Sequence, residues 1–150
     1  MVDRRLSVRR FTSADSSFVE RLSERAFSEY SARPGRYVSS LVQRPTTRAW
    51  VALCGDAPVG MAMLEVGSSI ASLLAIAVEE HARGRGVGRR LMQAVEQSAR
   101  ESGARLLSLC TADSNLAALD LFLRCGMRIV DRKPGYYSRR QDACELEKAL

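Results

Sequence analysis

Lysine is nearly missing from this 150-residue chain. Only Lys133 and Lys148 occur among 23 basic residues, which leaves 21 arginines. Histidine occurs once, at His81, and the four cysteines (Cys54, Cys110, Cys125, Cys144) form no C-x-x-C pair. Such spacing argues against a structural zinc site, so no metal is expected. Each cysteine has apolar neighbours and reads as a reduced core or strand residue, which fits a reducing cytoplasm. No apolar run approaches the roughly 20 residues that span a bilayer. The stretch Met1 to Arg10 is charged and lacks the apolar segment of a secretory signal, so no membrane partner is expected. Aromatic residues make up 6%, and no recognition-helix or zinc-finger pattern is present. A nucleic-acid partner would therefore rest on the net charge of +6 alone, and none is expected. Repeats and low-complexity linkers are also lacking. A composition of 46% apolar and 27% charged residues excludes disorder, collagen and coiled coil.

What is there fits one domain over residues 1–150 with a core of its own. The arginine excess favours a phosphate-bearing or acidic partner, because guanidinium pairs with such groups in bidentate fashion. Strands and helices alternate along the chain. Leu6 to Phe11 predicts a strand. Thr12 to Asp15 opens a helix whose apolar face holds Phe18, Val19, Leu22, Ala26 and Phe27 and which runs to about Tyr30. Pro34-Gly35 breaks it, and a short helix follows with Tyr37, Val38, Leu41 and Val42. Ala49–Cys54 and Val59–Val66 predict an antiparallel hairpin. The nearly all-apolar Ile70 to Val78 predicts a central strand buried on both faces. Val87, Leu91, Ala94, Val95 and Ser98 lie at helical spacing. Leu106 to Thr111 is a further strand, and Ala118, Leu121, Phe122 and Cys125 stripe a further helix that Gly126 caps. Met127–Val130 and Ala143–Leu146 close the chain as a strand pair.

The most informative stretch is the strand–loop–helix unit from Ile76 to Leu91. Gly84, Gly86 and Gly88 leave backbone N–H groups uncovered at a helix N-terminus, which is an anion site by its free donors and its dipole. Arg83, Arg85, Arg89 and Arg90 add cations. The expected ligand group is a pyrophosphate. A dinucleotide fingerprint fails because Arg89 stands where its third glycine belongs, and a Walker loop fails for want of Gly-Lys-Ser/Thr.

Arg83-Gly84-Arg85-Gly86-Val87-Gly88 resembles the R/Q-x-x-G-x-G/A pyrophosphate loop of the GNAT superfamily of N-acetyltransferases. Ile76-Ala77-Val78 resembles that family's splayed fourth strand. Asn115-Leu116-Ala117-Ala118 with Leu121-Phe122 and Cys125-Gly126-Met127 resembles its N-x-x-A…LY…GF segment. Tyr136-Tyr137 and Asp142-Ala143 resemble the tail of the ribosomal-protein alanine N-acetyltransferases, the members closest in motif. This specific resemblance covers about residues 70–147; the first half matches in element order only.

The resemblance implies an α/β (α+β) fold with a mixed, mostly antiparallel central sheet and about four flanking helices, and acetyl-CoA as co-substrate. It places the diphosphate on the amides of Gly84 to Arg89, with Arg83, Arg85 and Val87 at the loop. The pantetheine arm would lie along Ile76, Ala77 and Val78, with the Val78 amide as oxyanion donor. Asn115 would meet the arm near the thiol, or serve as a helix N-cap, or both. The chain departs from the pattern twice. The base Glu of the fifth strand is matched by Cys110, and the acid Tyr of the next helix by Phe122. Replacement candidates are Glu65, Glu79, Cys110, Tyr136 and Tyr137; His81 lies on the wrong side of the loop. The implied reaction moves an acetyl group to a primary amine of a peptide, a protein or a small molecule, by direct attack on the thioester. The alternative is a non-catalytic acyl-CoA-binding module. Arg33, Arg36 and Tyr37 could border the acceptor. The relatives include monomers and homodimers.

Overall fold

The computed structural model describes residues 5–150. Seven strands form one sheet in the order β1-β2-β3-β4-β5-β7-β6. They are β1 (Leu6–Arg10), β2 (Thr47–Cys54), β3 (Ala57–Val66), β4 (Ile70–Val78), β5 (Leu106–Ala112), β6 (Arg128–Lys133) and β7 (Ala143–Ala149). Four α-helices flank it: α1 (Ser16–Phe27), α2 (Pro34–Val42), α3 (Val87–Glu101) and α4 (Leu116–Arg124). All neighbouring strands are antiparallel except β4 and β5, so the expected fold class holds.

Two apolar clusters sit on the two faces of the sheet. One packs α3 and the Phe122 ring of α4 onto Ala62, Leu64, Leu73, Leu107 and Leu146. The other packs Phe18, Val19 and Leu22 of α1 with Val38 and Leu41 of α2 onto Val51, Met61, Met63 and Ala77. Alternation along each strand sends successive side chains to these two cores, so the face of every strand residue follows from its neighbours.

Several expectations need correcting. The first helix ends at Phe27, short of Tyr30. Pro34 does not merely break it: Pro34 opens α2, where its missing N–H costs nothing. The capping box at Thr12 and Asp15 is present, but it starts a 3-10 turn over Ser13–Asp15 ahead of α1. β4 is not buried on both faces, since only Ala71, Leu73 and Ala77 are buried and Ile70 is 48% exposed. Ile70 lies at the start of the strand, and Leu74, Ala75, Ile76 and Val78 are half-buried where β4 has parted from β5. None of the four cysteines forms a disulfide among the described residues, but only Cys144 is fully buried; Cys54, Cys110 and Cys125 are half-buried. Among the described residues no helix is long and apolar enough to cross a membrane, and no group of metal-ligating side chains occurs.

Candidate functional site

β4 and β5 pair only from Ile70 to Leu73 and from Leu106 to Leu109. Beyond that, β4 stays with β3 as far as Val78, while β5 stays with β7 as far as Ala112. The two central strands therefore splay into a wedge. The Glu79 N–H donates to the Val59 carbonyl at 2.8 Å, which makes Glu79 and Val59 a hydrogen-bonded pair. Alternation along the ladder then turns Ala77 towards β3 and the N–H groups of Ile76 and Val78 away from it, into the wedge. Ile76 and Val78 thus offer main-chain donors to the gap. Ala77 does not, since its backbone is spent on β3 and its side chain is buried under α1 and α2.

The loop after β4 ends in a 3-10 turn over Glu80–Ala82 and then enters α3. Its three glycines do two different jobs. Gly84 and Gly86 have φ of +77° and +86°, the left-handed region that side chains strain to occupy. Gly88 has ordinary φ, but a Cβ there would lie 2.9 Å from a Leu121 methyl, so it lets α3 approach α4. The first α3 bond across the cap runs from the Arg90 N–H to the Gly86 carbonyl at 3.0 Å. Among the described residues no partner takes the amides of Gly84 to Arg89. The first turn of α3 holds no acid and carries Arg89, the reverse of what a helix dipole prefers unless an external anion supplies the negative charge. Arg83, Arg85, Arg89 and Arg90 join no ion pair among the described residues, and the first three are exposed.

Asn115 caps α4 at the far wall of the wedge. Its side-chain oxygen accepts from the Ala118 N–H at 3.3 Å, which leaves its amide nitrogen available. Phe122 is 2% exposed and belongs to the core under α4. The structure therefore places it away from any open surface.

The other face of the wedge is built from side chains. Leu107 and Leu109 point to the α3 side, so Ser108 and Cys110 point to the α1–α2 side. Cys110 is the first outward residue of β5 past the point of splaying, and it stands directly opposite Glu145 of β7. The Tyr136 phenol and the Cys110 thiol lie close enough to influence each other's ionisation. The Tyr136 and Tyr137 rings meet edge to face at 5.0 Å, and Tyr137 meets Tyr30 at 5.4 Å. Lys133 Nζ sits 5.6 Å above the Tyr136 ring and 3.3 Å from a Glu145 oxygen. Two hydrogen bonds tie this loop to the end of α1: Ser138 Oγ donates to the Tyr30 carbonyl at 2.8 Å, and Gln141 Nε2 to the Glu29 carbonyl at 2.6 Å.

The titrating groups here share one direction. Burial pushes the Cys110 thiol up, against the opposing pull of Lys133. Burial also raises the Tyr136 phenol, and it raises Tyr137 still further. All three hold their protons at neutral pH, so this cluster can donate protons and is poorly suited to accept them.

Of the sequence candidates, Cys110, Tyr136 and Tyr137 are brought together. Glu65 shares their face but lies one row away, opposite Ser72, and Arg44 holds its carboxylate at 3.3 Å. Glu79 is held by the Arg25 guanidinium. His81 lines a separate cavity of about 220 Å³ with Leu6, Cys54, Val59 and Arg85, on the β1–β3 side of α3. Tyr37 is 55% exposed and lies close enough to Tyr136 to influence its ionisation. Tyr30, Lys133 and Glu145 were not singled out from the sequence. Only the rarity of lysine pointed at Lys133, and no local pattern pointed at the other two.

Comparison with known proteins bears on this geometry. No curated protein matches the chain. Among solved structures, Ard1 from Thermoplasma volcanium is 23% identical with a TM-score of 0.87, covering 97% of this chain and 98% of its own. The ribosomal-protein-S18-alanine N-acetyltransferase from Escherichia coli is 20% identical with a TM-score of 0.82, covering 97% and 94%. A GNAT family acetyltransferase from Elizabethkingia anophelis, solved with acetyl-CoA bound, is 16% identical with a TM-score of 0.79, covering 98% and 99%. At such identities these likenesses speak to the fold, and the suggested nearness to the alanine acetyltransferases goes no further than that. The family model for acetyltransferases of the GNAT type matches residues 15–127, starting well before the stretch that carries the motifs and stopping short of the tyrosine tail. With the splayed strands and the glycine loop both inside that match, the chain belongs to the acetyltransferase (GNAT) family.

Proposed function

We propose that residues 1–150 act as one acetyl-CoA-dependent N-acetyltransferase domain that passes an acetyl group to a primary amine by direct attack on the thioester. The observation that carries this reading is the wedge. It has free main-chain donors on one wall, a bare helix N-terminus beside it and a cluster of proton donors on its opposite face. In this reading the amides of Gly84 to Arg89, Val87 included, take the diphosphate with Arg83, Arg85 and Arg89 around it. The pantetheine arm runs along the free edge of β4. The Val78 N–H meets the thioester oxygen and steadies the charge that develops there. The Asn115 amide nitrogen meets the arm from the α4 side. Ala77 and Phe122 pack in the cores on either side of the sheet and offer the cofactor no polar contact.

The protonation states decide how the chemistry runs. Cys110 and Tyr136 are protonated at neutral pH, so neither is the base that the family pattern would place at position 110. The amine arrives neutral by its own equilibrium. An α-amine of pKa about 7.7–8.0 is neutral in roughly a tenth to a sixth of molecules at pH 7, a lysine amine in roughly one of 2,500. An α-amine of a peptide or protein, or a small amine of lowered pKa, is therefore the fitting acceptor. Tyr136 has the better task of giving a proton to the departing thiolate, with Tyr137 packed behind it. The acceptor enters over the floor of half-buried Glu65, Ser72 and Ser108, past Tyr37.

Release of free thiol from acetyl-CoA over a broad panel of amines tests this. Acceptor-dependent release is expected. Tight CoA binding with no turnover on any amine would leave only an acyl-CoA-binding module. The cytoplasm is the fitting compartment, since its reducing conditions suit four cysteines outside any disulfide.

A further inference from the structure

Lysine is so scarce here that the placement of the two present invites a reason. Lys148 has a structural one: its Nζ bonds Glu96 of α3 at 2.8 Å and the Cys125 carbonyl at the end of α4 at 2.7 Å. Lys133 sits at the end of β6 on the face of the sheet that holds Cys110. Its Nζ is 3.3 Å from Glu145 and 5.6 Å from the centre of the Tyr136 ring. Glu145 stands opposite Cys110 in the β5–β7 register, and the Tyr136 phenol lies near enough to the same thiol for each to influence the other's ionisation. One ammonium thus touches both groups that flank Cys110. A compact point charge can serve a carboxylate and a ring face together, where a planar guanidinium would choose one plane.

We propose that Lys133 is a positioning residue of the acceptor face: it draws the Glu145 carboxylate off Cys110 and holds the Tyr136 ring in place, so that phenol and thiol act as one proton-donating pair. The charged and titrating groups that face Cys110 are Lys133 and Asp131 from β6, Glu145 from β7, and Tyr136 and Tyr137 from the loop between those strands. Lys133 is the one cation among them. Its field favours loss of the proton from both Cys110 and Tyr136, which makes each a stronger acid. Glu145 and Asp131 act in the opposite sense. This role rests on the acetyltransferase reading for its purpose, but not for its geometry.

The test separates the two. Alkylation of Cys110 by iodoacetamide, followed peptide by peptide by mass spectrometry across pH 6–10 (a probe range), reports thiolate formation without any turnover. Lys133→Met is expected to slow Cys110 alkylation at neutral pH roughly 3- to 10-fold, while Cys54 and Cys125 keep their rates. Lys133→Arg keeps the charge but serves only one of the two partners and is expected to restore the rate in part, and Glu145→Gln to raise it above wild type. In acetyl transfer, Lys133→Met is expected to lower kcat and leave the KM for acetyl-CoA unchanged. An unchanged alkylation profile in both Lys133→Met and Glu145→Gln would overturn the proposal, whatever happens to activity. The expected alkylation shifts in a protein that acetylates no amine would support the role of Lys133 and defeat the acetyltransferase reading instead.

Discussion

The two sides of the wedge are made of different material. The β4 side is main chain: the N–H groups of Ile76 and Val78, the amides of Gly84 to Arg89 and a helix dipole. The β5 side is side chain: Cys110, Glu145, Lys133 and Tyr136, drawn from β5, β7, β6 and the loop between the last two. Main-chain sites favour glycine at fixed steps, because glycine takes the φ of +77° and +86° that exposes the donors without strain. Side-chain sites place no such demand on any short stretch. A family can therefore keep the first wall nearly fixed while the second varies, and in this chain the second wall has lost the Glu and Tyr of the pattern and gained a protonated thiol and phenol.

The comparison can be broken from either side. The largest effect is expected on the acceptor side, in the choice of amine. With no base in the cluster, the rate should follow the neutral fraction of the acceptor. A peptide α-amine should then outrun a lysine side chain by roughly 100-fold or more at pH 7. The kcat/KM for an α-amine should rise with pH to a plateau just above its own pKa, with no separate inflection from an enzyme carboxylate. Initial rates on one peptide, free at its N-terminus or blocked there with a lysine added, measure both.

Breaking the main-chain wall comes next. Gly86→Val forces a β-branched residue to φ of +86°, at a cost of about 1–3 kcal/mol. CoA affinity by calorimetry should fall roughly 10- to 100-fold, while the pH profile of Cys110 alkylation stays as in wild type. A smaller effect is expected from Tyr136→Phe, which removes the phenol and keeps the ring stack. The kcat should fall by at least roughly 10-fold with CoA affinity unchanged. Equal loss of kcat and CoA affinity would mean that the two walls are not separable.

The smallest effect lies outside both walls and serves as a control. Asp15 is buried and receives Arg9 through two bonds of 2.7 and 2.9 Å, with the Thr12 N–H at 2.8 Å. The Arg9 guanidinium holds this carboxyl below its ordinary value of 3.8. A lowered folded-state pKa contributes stability that is present above the ordinary value and is lost as pH falls through the lowered one. Asp15→Asn should lower the melting temperature by a few degrees at pH 7, and this difference should shrink as pH falls below the ordinary carboxyl range and through the lowered Asp15 value. Rates at saturating substrate should not change.

How much of this was legible in the sequence follows the same division. The strand–loop–helix unit, the Asn115 cap and all seven strands could be read from apolar spacing, glycine and capping residues, because each depends on neighbours in the chain. The wedge itself could not be read from the apolar run of Ile70 to Val78, which promised a strand covered on both faces. Separation of β4 from β5 is decided by what each pairs with on its far side. Cys110 and the two tyrosines were named because family positions pointed to them. Lys133 and Glu145 were missed because they reach Cys110 only through the β5–β7–β6 register. Phe122 stands where the resemblance has an acid Tyr, and its place in the apolar stripe of α4 agrees with a ring that is 2% exposed and fills the core.

A crystal structure with CoA bound tests the central claim most directly. The account predicts a diphosphate on the amides of Gly84 to Arg89, an arm hydrogen-bonded to Ile76 and Val78, and a sulfur within hydrogen-bonding reach of the Tyr136 hydroxyl. A CoA whose sulfur ends away from Tyr136 and Cys110, or whose arm leaves the β4 edge free, would contradict it.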